Sequence, residues 1–244
     1  MSLCRLALRH CAVRALTGQT IVGANVADSD FGALDLSVDG LIQTDRDRPF
    51  VLVYTDESSA TEADMRSLRQ NGHLDFVIEY GVASPMTEID PETGEAVIAG
   101  VNIPATDANF EAALDLMDRQ VMAVLSGADG WAELWRGLID KVLKIERRRR
   151  ASADEGMRIA ARQTRITVEA KPDPVLGQAL AAGSIWARFR AAVGGDPIEP
   201  MVLAMLGTAI PDWQTVVAGR GMTAGEARAA GFVPNGTILG TDLG

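Results

Sequence analysis

The spacing of apolar positions divides the chain into helical and extended stretches. Residues 3–17 place Cys4, Leu8, Cys11, Ala12, Ala15 and Leu16 on one helical stripe and keep Arg5, Arg9 and Arg14 off it; Gly18 supplies a stop. Residues 20–27 (TIVGANVA) are short and β-branched and predict a strand. Residues 50–55 (FVLVYT) run apolar without a break, as in a central strand covered on both faces, with Pro49 at its entrance. Over residues 74–80 the pattern alternates, Leu74, Phe76, Ile78 and Tyr80 against Asp75, Val77 and Glu79. That predicts a half-buried strand after an Asn71-Gly72 turn. Residues 90–94 (DPETG) read as a turn and 95–99 as a strand after it.

The strongest helix opens at Pro104 and Thr106. Phe110, Ala113, Leu114, Met117, Val121, Val124 and Leu125 follow at i, i+3, i+4, i+7 spacing. Gly127 and Gly130 interrupt. Trp131, Leu134, Trp135, Leu138, Ile139, Val142 and Leu143 then predict a second amphipathic helix, forming a hairpin or one bent helix with the first. Its tryptophans and Met117 read as core. Residues 144–150 (KIERRRR) and 164–170 (TRITVEA) predict a strand pair around a polar loop at 151–156. Lys171-Pro172-Asp173-Pro174 stops regular structure and marks a boundary. The expected organisation is a core domain over 1–171 and an Ala/Gly-rich helical extension over 172–244. The extension has helical pieces at 183–193 (Ser184 as N-cap), 198–206 and 223–230, the last opening with the capping-box pair Thr223 and Glu226. The fold class is α+β: a small mixed or antiparallel sheet packed against long amphipathic helices, with an α-rich C-terminal extension.

Charge sharpens this picture. The net charge is −10. Residues 28–129 hold 21 Asp/Glu against 5 Lys/Arg, a net of −16, and residues 141–171 hold 10 Lys/Arg against 4 Asp/Glu, a net of +6. A ring in which each subunit's basic face meets its neighbour's acidic face would use that asymmetry; an unevenly charged solvated surface is the alternative. Cys4 and Cys11 lie two helical turns apart, about 10 Å, too far for a disulfide within the chain. The longest apolar run, near residues 201–210, is shorter than the roughly 20 residues a membrane helix needs. The acid-poor, Arg-bearing N-terminus also fits a transit peptide, but it runs unbroken into strand-like sequence and reads as an ordinary first helix.

Candidate chemistry is sparse. The two histidines, His10 and His73, have no Cys, Asp or Glu at metal-ligand spacing. Gly219-Arg220-Gly221 starts a dinucleotide-type pattern, but Ala224 stands at its third glycine; no Gly-Lys-Ser/Thr phosphate loop and no G-x-S-x-G occur. Carboxylate pairs such as Asp56-Glu57 and Asp28/Asp30 arise readily by chance among 33 acids. No catalytic, cofactor-binding or metal residue is assigned, no cofactor is expected, and no enzyme activity is expected. The sharpest local feature is Arg147-Arg148-Arg149-Arg150, joined by Arg165 as candidate interface residues. Contact with a neighbouring protein, a solvated loop and DNA phosphate contact are its three readings, in that order. On a strand at most two of the four arginines share a face, and no interleaved aromatics support base stacking.

Residues 3–16 (LCRLALRHCAVRAL), 20–28 (TIVGANVAD) and 48–56 (RPFVLVYTD), followed by the long helix from Thr106, resemble the first helix, strand and core strand of tail terminator or tail completion proteins of siphophages and gene-transfer-agent-like particles. The resemblance implies an α+β subunit assembling six-fold into a homo-oligomeric ring. That ring caps the tail tube protein, meets the head-completion or stopper protein, and passes DNA through its channel without sequence-specific binding. It places the protein in the virion, at the head-proximal end of the tail, and in the host cytoplasm during assembly, with no membrane partner. The acidic block would then line the channel and keep DNA mobile by repulsion. Other readings are another head–tail connector or minor tail component, a non-viral cytosolic adaptor, and an enzyme with an unfamiliar carboxylate site.

Overall fold

The computed structural model describes residues 2–29, 35–36, 42–43, 48–60, 69–83, 86–91, 94–99, 106–154 and 157–207. The chain divides between Asp173 and Pro174 into two compact units.

The first unit opens with α1 (Leu3–Leu16). Its predicted stripe is buried, and Leu3, Leu6 and Ala7 are buried with it, so the helix is wrapped more fully than a single stripe requires. Its four leading N–H groups are all satisfied. Ser2 Oγ accepts from Arg5 N (3.2 Å) and the Ser2 carbonyl from Leu6 N. The carboxylate of Asp173, the last residue of the unit, accepts from Leu3 N and Cys4 N, both at 3.0 Å. Gly18 follows the helix with a left-handed φ of 75°.

The expected strand at 20–27 shrinks to β1 (Val26–Asp28), because turns occupy 17–24: Gly23 takes φ +59° and donates to the Thr20 carbonyl. β1 runs parallel to β4 (Phe50–Ser59). β4 is antiparallel to β5 (His73–Ala83), β5 to β9 (Met157–Ala170), and β9 to β8 (Ile139–Asp154). The resulting mixed sheet has the order β1-β4-β5-β9-β8. Phe50, Val51, Leu52 and Val53 are buried as the unbroken apolar run requires, and Val77, on the polar side of β5, is buried too. The Phe50 ring crosses the sheet rung opposite Gly81, and any Cβ there would sit 2.3 Å from it. Two small antiparallel pairs accompany the main sheet: β2 (Asp35–Leu36) with β3 (Ile42–Gln43), and β6 (Thr87–Ile89) with β7 (Ala96–Ile98). The β6–β7 reversal falls on the predicted turn, with Gly94 at φ +71° donating to the Asp90 carbonyl.

α2 (Asp107–Ser126) begins where Thr106 caps it and buries Phe110, Ala113, Leu114, Met117, Val121 and Leu125 against the sheet and α1. Each of these side chains except that of Ala113 contributes about 1.5–3 kcal/mol by leaving water. α3 (Gly130–Gly137) is capped by Asp129 and sets Trp135 edge-on to Phe76, 5.3 Å between ring centres. The predicted continuation of this helix to Leu143 is corrected: it stops at Gly137, and Ile139, Val142 and Leu143 belong to β8. Those residues fit a helical stripe and a strand equally well. Pairing of Ile139 with Ala170 and of Val142 with Val168 of β9, together with the Gly137 break, decides for the strand. The hairpin is also longer than predicted. The expected loop at 151–156 begins in strand, and Asp154 stands opposite Met157.

In the second unit, Ser184 caps α4 (Ile185–Ala192) as predicted, and α5 (Glu199–Leu206) ends at Gly207, φ 74°. Trp186, Phe189, Val193, Val202 and Leu206 are its buried apolar residues among those described. The predicted piece at 223–230 lies outside the described residues.

Candidate interaction surface

The β8–β9 hairpin sorts the candidate arginines by strand alternation. Register places Arg147 opposite Thr164 and Arg149 opposite Arg162, on the sheet face that α2 covers. α2 presents Glu111, Asp115 and Asp118 at i, i+4, i+7, one helical face. Arg147 Nε meets Asp118 Oδ2 at 2.8 Å, Arg149 Nε meets Glu111 Oε1 at 2.6 Å, and Arg162 Nη1 meets Asp115 Oδ1 at 2.5 Å. Asp118 also accepts from the Tyr80 hydroxyl (3.2 Å) and the Thr164 hydroxyl (3.1 Å). Burial, and next the Asp118 charge, push the Tyr80 phenol well above its ordinary range, so it stays a neutral donor.

On the opposite face Arg165 is forked between Asp75 Oδ2 (2.6 Å) and Asp56 Oδ2 (2.7 Å), and the Thr167 hydroxyl donates to Asp75 Oδ1. Loss of hydration opposes the guanidinium charge, but the hydrogen bond and charge of Asp75, with the charges of Asp56 and Glu57, outweigh it and raise the Arg165 pKa. Beside it the Tyr54 hydroxyl donates to Glu79 Oε1, and Gln163 Nε2 reaches both, each contact 2.8 Å.

Three of the five candidate arginines, Arg147, Arg149 and Arg165, are therefore held by carboxylates of their own chain. For these pairs the opposite charges expected to meet between neighbouring copies meet within one chain. Arg148 stands exposed opposite Gln163, without a salt bridge among the described residues, and Arg150 stands opposite Ala161 in the register. Sequence reasoning missed the acidic partners, although the spacing of Glu111, Asp115 and Asp118 is a legible signal of a charged helix face.

His10 packs edge-on to Trp131, 5.4 Å between ring centres, and His73 is exposed at the start of β5. Cys4 and Cys11 are free thiols, and burial drives both far above the ordinary thiol range, with Asp173 and Asp140 adding to the effect at Cys4. Among the described residues no three His, Cys, Asp or Glu side chains are grouped to hold a metal ion, and no helix is long and apolar enough to cross a membrane.

What remains open is the outer edge of β8. This strand of 16 residues ends the sheet, with β9 its only strand partner among the described residues. Its first half exposes Val142 (47%), Leu143 (38%) and Ile145 (46%) beside Lys141 and Lys144. No protein-family model and no curated protein matches the chain.

Proposed function

We propose that this protein is a structural, non-catalytic assembly subunit, a ring-forming tail terminator of a long-tailed phage or phage-like particle that joins the tail tube to the head-completion protein. The observation that carries the assembly reading is the long edge of β8, which no other described strand pairs with. Unpaired strand edges recruit other chains, and natural monomers usually shorten or cover them. Here the edge is long and keeps three aliphatic side chains in water. The terminator assignment rests on the sequence resemblance of residues 3–16, 20–28 and 48–56 and of the long helix from Thr106, and the order of α1, β1, β4 and α2 is compatible with it.

Light scattering and negative-stain imaging of the full chain, in low and high salt, test the reading. A six-fold ring that docks on purified tail tubes is the expected result. A twelve-fold ring would move the protein to the head side of the connector. A monomer at all concentrations that also ignores tail tubes would sink the proposal.

A further inference from the structure

The Asn71-Gly72 pair ahead of β5 carries chemistry of its own. Glycine has no side chain to shield its nitrogen, so in an Asn-Gly pair that nitrogen can attack the preceding side-chain amide. We propose that Asn71 is a site of spontaneous covalent modification, gated by the junction that holds it, and that its product uncaps α1. This chemistry does not depend on whether the chain assembles.

The reaction consumes only water. Gly72 N attacks Asn71 Cγ, the new C–N bond closes a cyclic imide, and the Cγ–Nδ2 bond breaks. Ammonia leaves with the proton that Gly72 N gives up. Water then opens the imide at one of its two carbonyls. Opening at the side-chain carbonyl gives aspartate; opening at the backbone carbonyl gives isoaspartate, whose main chain runs through the former side chain. Nothing is oxidised or reduced.

The fold holds the pair away from this reaction. Asn71 Nδ2 donates to the Lys171 carbonyl (2.7 Å) and to Asp173 Oδ1 (3.0 Å), which fixes the amide toward the chain that follows β9. The Gly72 carbonyl accepts from Ala170 N at 2.9 Å. Gly72 also lies so close to the Ser59 carbonyl that a Cβ built on it would sit 2.3 Å away. Closing the imide pulls the amide off both acceptors and shifts Gly72 within that tight packing, so the reaction waits for local opening. Asn71 and Gly72 are both part-exposed, and water reaches the opened pair.

The product acts on the helix cap. The NH2 group that leaves is the one facing Asp173, and Asp173 accepts from Leu3 N and Cys4 N. A carboxylate in its place repels the Asp173 carboxylate at hydrogen-bond distance. The cap is drawn off the first turn of α1. Isoaspartate adds a main-chain methylene as well, just ahead of the rung that pairs His73 with Ser59.

Ageing the full-length protein in mildly alkaline buffer, folded and guanidinium-unfolded, tests this, with residue 71 read by digestion and mass spectrometry. The second Asn-Gly pair of the chain, Asn235-Gly236, calibrates the chemistry in the unfolded state. The unfolded chain is expected to convert Asn71 and Asn235 at comparable rates. The folded chain is expected to convert Asn71 at least about tenfold more slowly, the factor that an opening cost of about 1.4 kcal/mol gives. Asp173→Ala, shown to be folded by far-UV circular dichroism, is expected to speed the folded-state conversion. Asn71→Asp, and aged protein carrying Asn235→Gln, are both expected to unfold at a lower urea midpoint and to expose Cys4 to faster labelling; if Asn71→Asp does not fold, the aged protein carries this arm. An unfolded chain that converts Asn235 but not Asn71 overturns the site. Equal rates in the folded and unfolded chain overturn the gate. A wild-type midpoint with wild-type Cys4 labelling after conversion overturns the uncapping of α1.

Discussion

Asp173 offers the sharpest test of how the first unit is held together. Its carboxylate accepts from Leu3 N, Cys4 N and Asn71 Nδ2, each at 3.0 Å, while its backbone N–H donates to the Arg69 carbonyl. Asp173→Ala strips the acceptor from two helix N–H groups that are part-buried. Loss of a capping side chain costs about 0.5–2 kcal/mol, and hydrogen bonds to a charged group about 1.5–3 kcal/mol. Because the bonds share one carboxylate, they do not add in full, and a loss of about 2–3 kcal/mol is expected. Asp173→Asn keeps one acceptor oxygen and should lose about half as much. Ser2→Ala, which removes only the acceptor for Arg5 N, should lose about 1 kcal/mol. Urea unfolding gives the totals, read as a shifted midpoint at unchanged slope. Labelling of the Cys4 thiol gives the local effect, since Cys4 is buried one residue inside the capped end. If Asp173→Ala unfolds at the wild-type midpoint and Cys4 labels no faster, Asp173 is not a cap that matters.

Other expectations follow from contacts already described. Gly81→Ala drives a methyl into the Phe50 ring and should cost about 1–3 kcal/mol, with partial recovery in the Phe50→Leu background, measured by thermal melts. Asp118→Ala removes the acceptor shared by the Tyr80 and Thr164 hydroxyls and by Arg147 and should cost about 2–3 kcal/mol, whereas Glu111→Gln, at an exposed pair, should cost less than about 1 kcal/mol; equal losses would refute the division between buried network and surface pair. Tyr54 and Tyr80 both titrate above their unfolded value in the folded chain, burial being the leading cause. Their contribution is therefore complete below the unfolded phenol value of about 10 and is lost as pH rises beyond it. Stability should fall in that alkaline window, and Tyr54→Phe/Tyr80→Phe should flatten the fall, followed by urea midpoint against pH.

The elements with one dominant signal were legible in the sequence. The Thr106 cap and the periodic run from Phe110 to Leu125 define α2, the unbroken run at residues 50–55 defines the start of β4, and Gly94 marks the β6–β7 turn. The stretch 131–143 was not, because Ile139, Val142 and Leu143 satisfy a 3.6-residue period by accident and only β9, some 25 residues later in the chain, reveals their pairing. The arginine run stood out by composition, but its partners did not. Asp118 lies 29 residues from Arg147, and Asp75 lies 90 from Arg165, so no local pattern links them. The open β8 edge was also hidden, since an edge strand and a central strand of this length look alike until the sheet order is known.

The sheet order also fixes a sequence of events during synthesis. β9 fills the gap between β5 and β8, yet it is the last of the five strands to leave the ribosome. Until residues 157–170 emerge, β5 is itself a sheet edge, 11 residues long and apolar on both faces around Phe76, Val77 and Ile78. The nascent chain thus carries, for the time needed to translate more than 70 residues at ribosomal rates of about 5–20 residues per second, a stickier edge than the finished fold shows among its described residues.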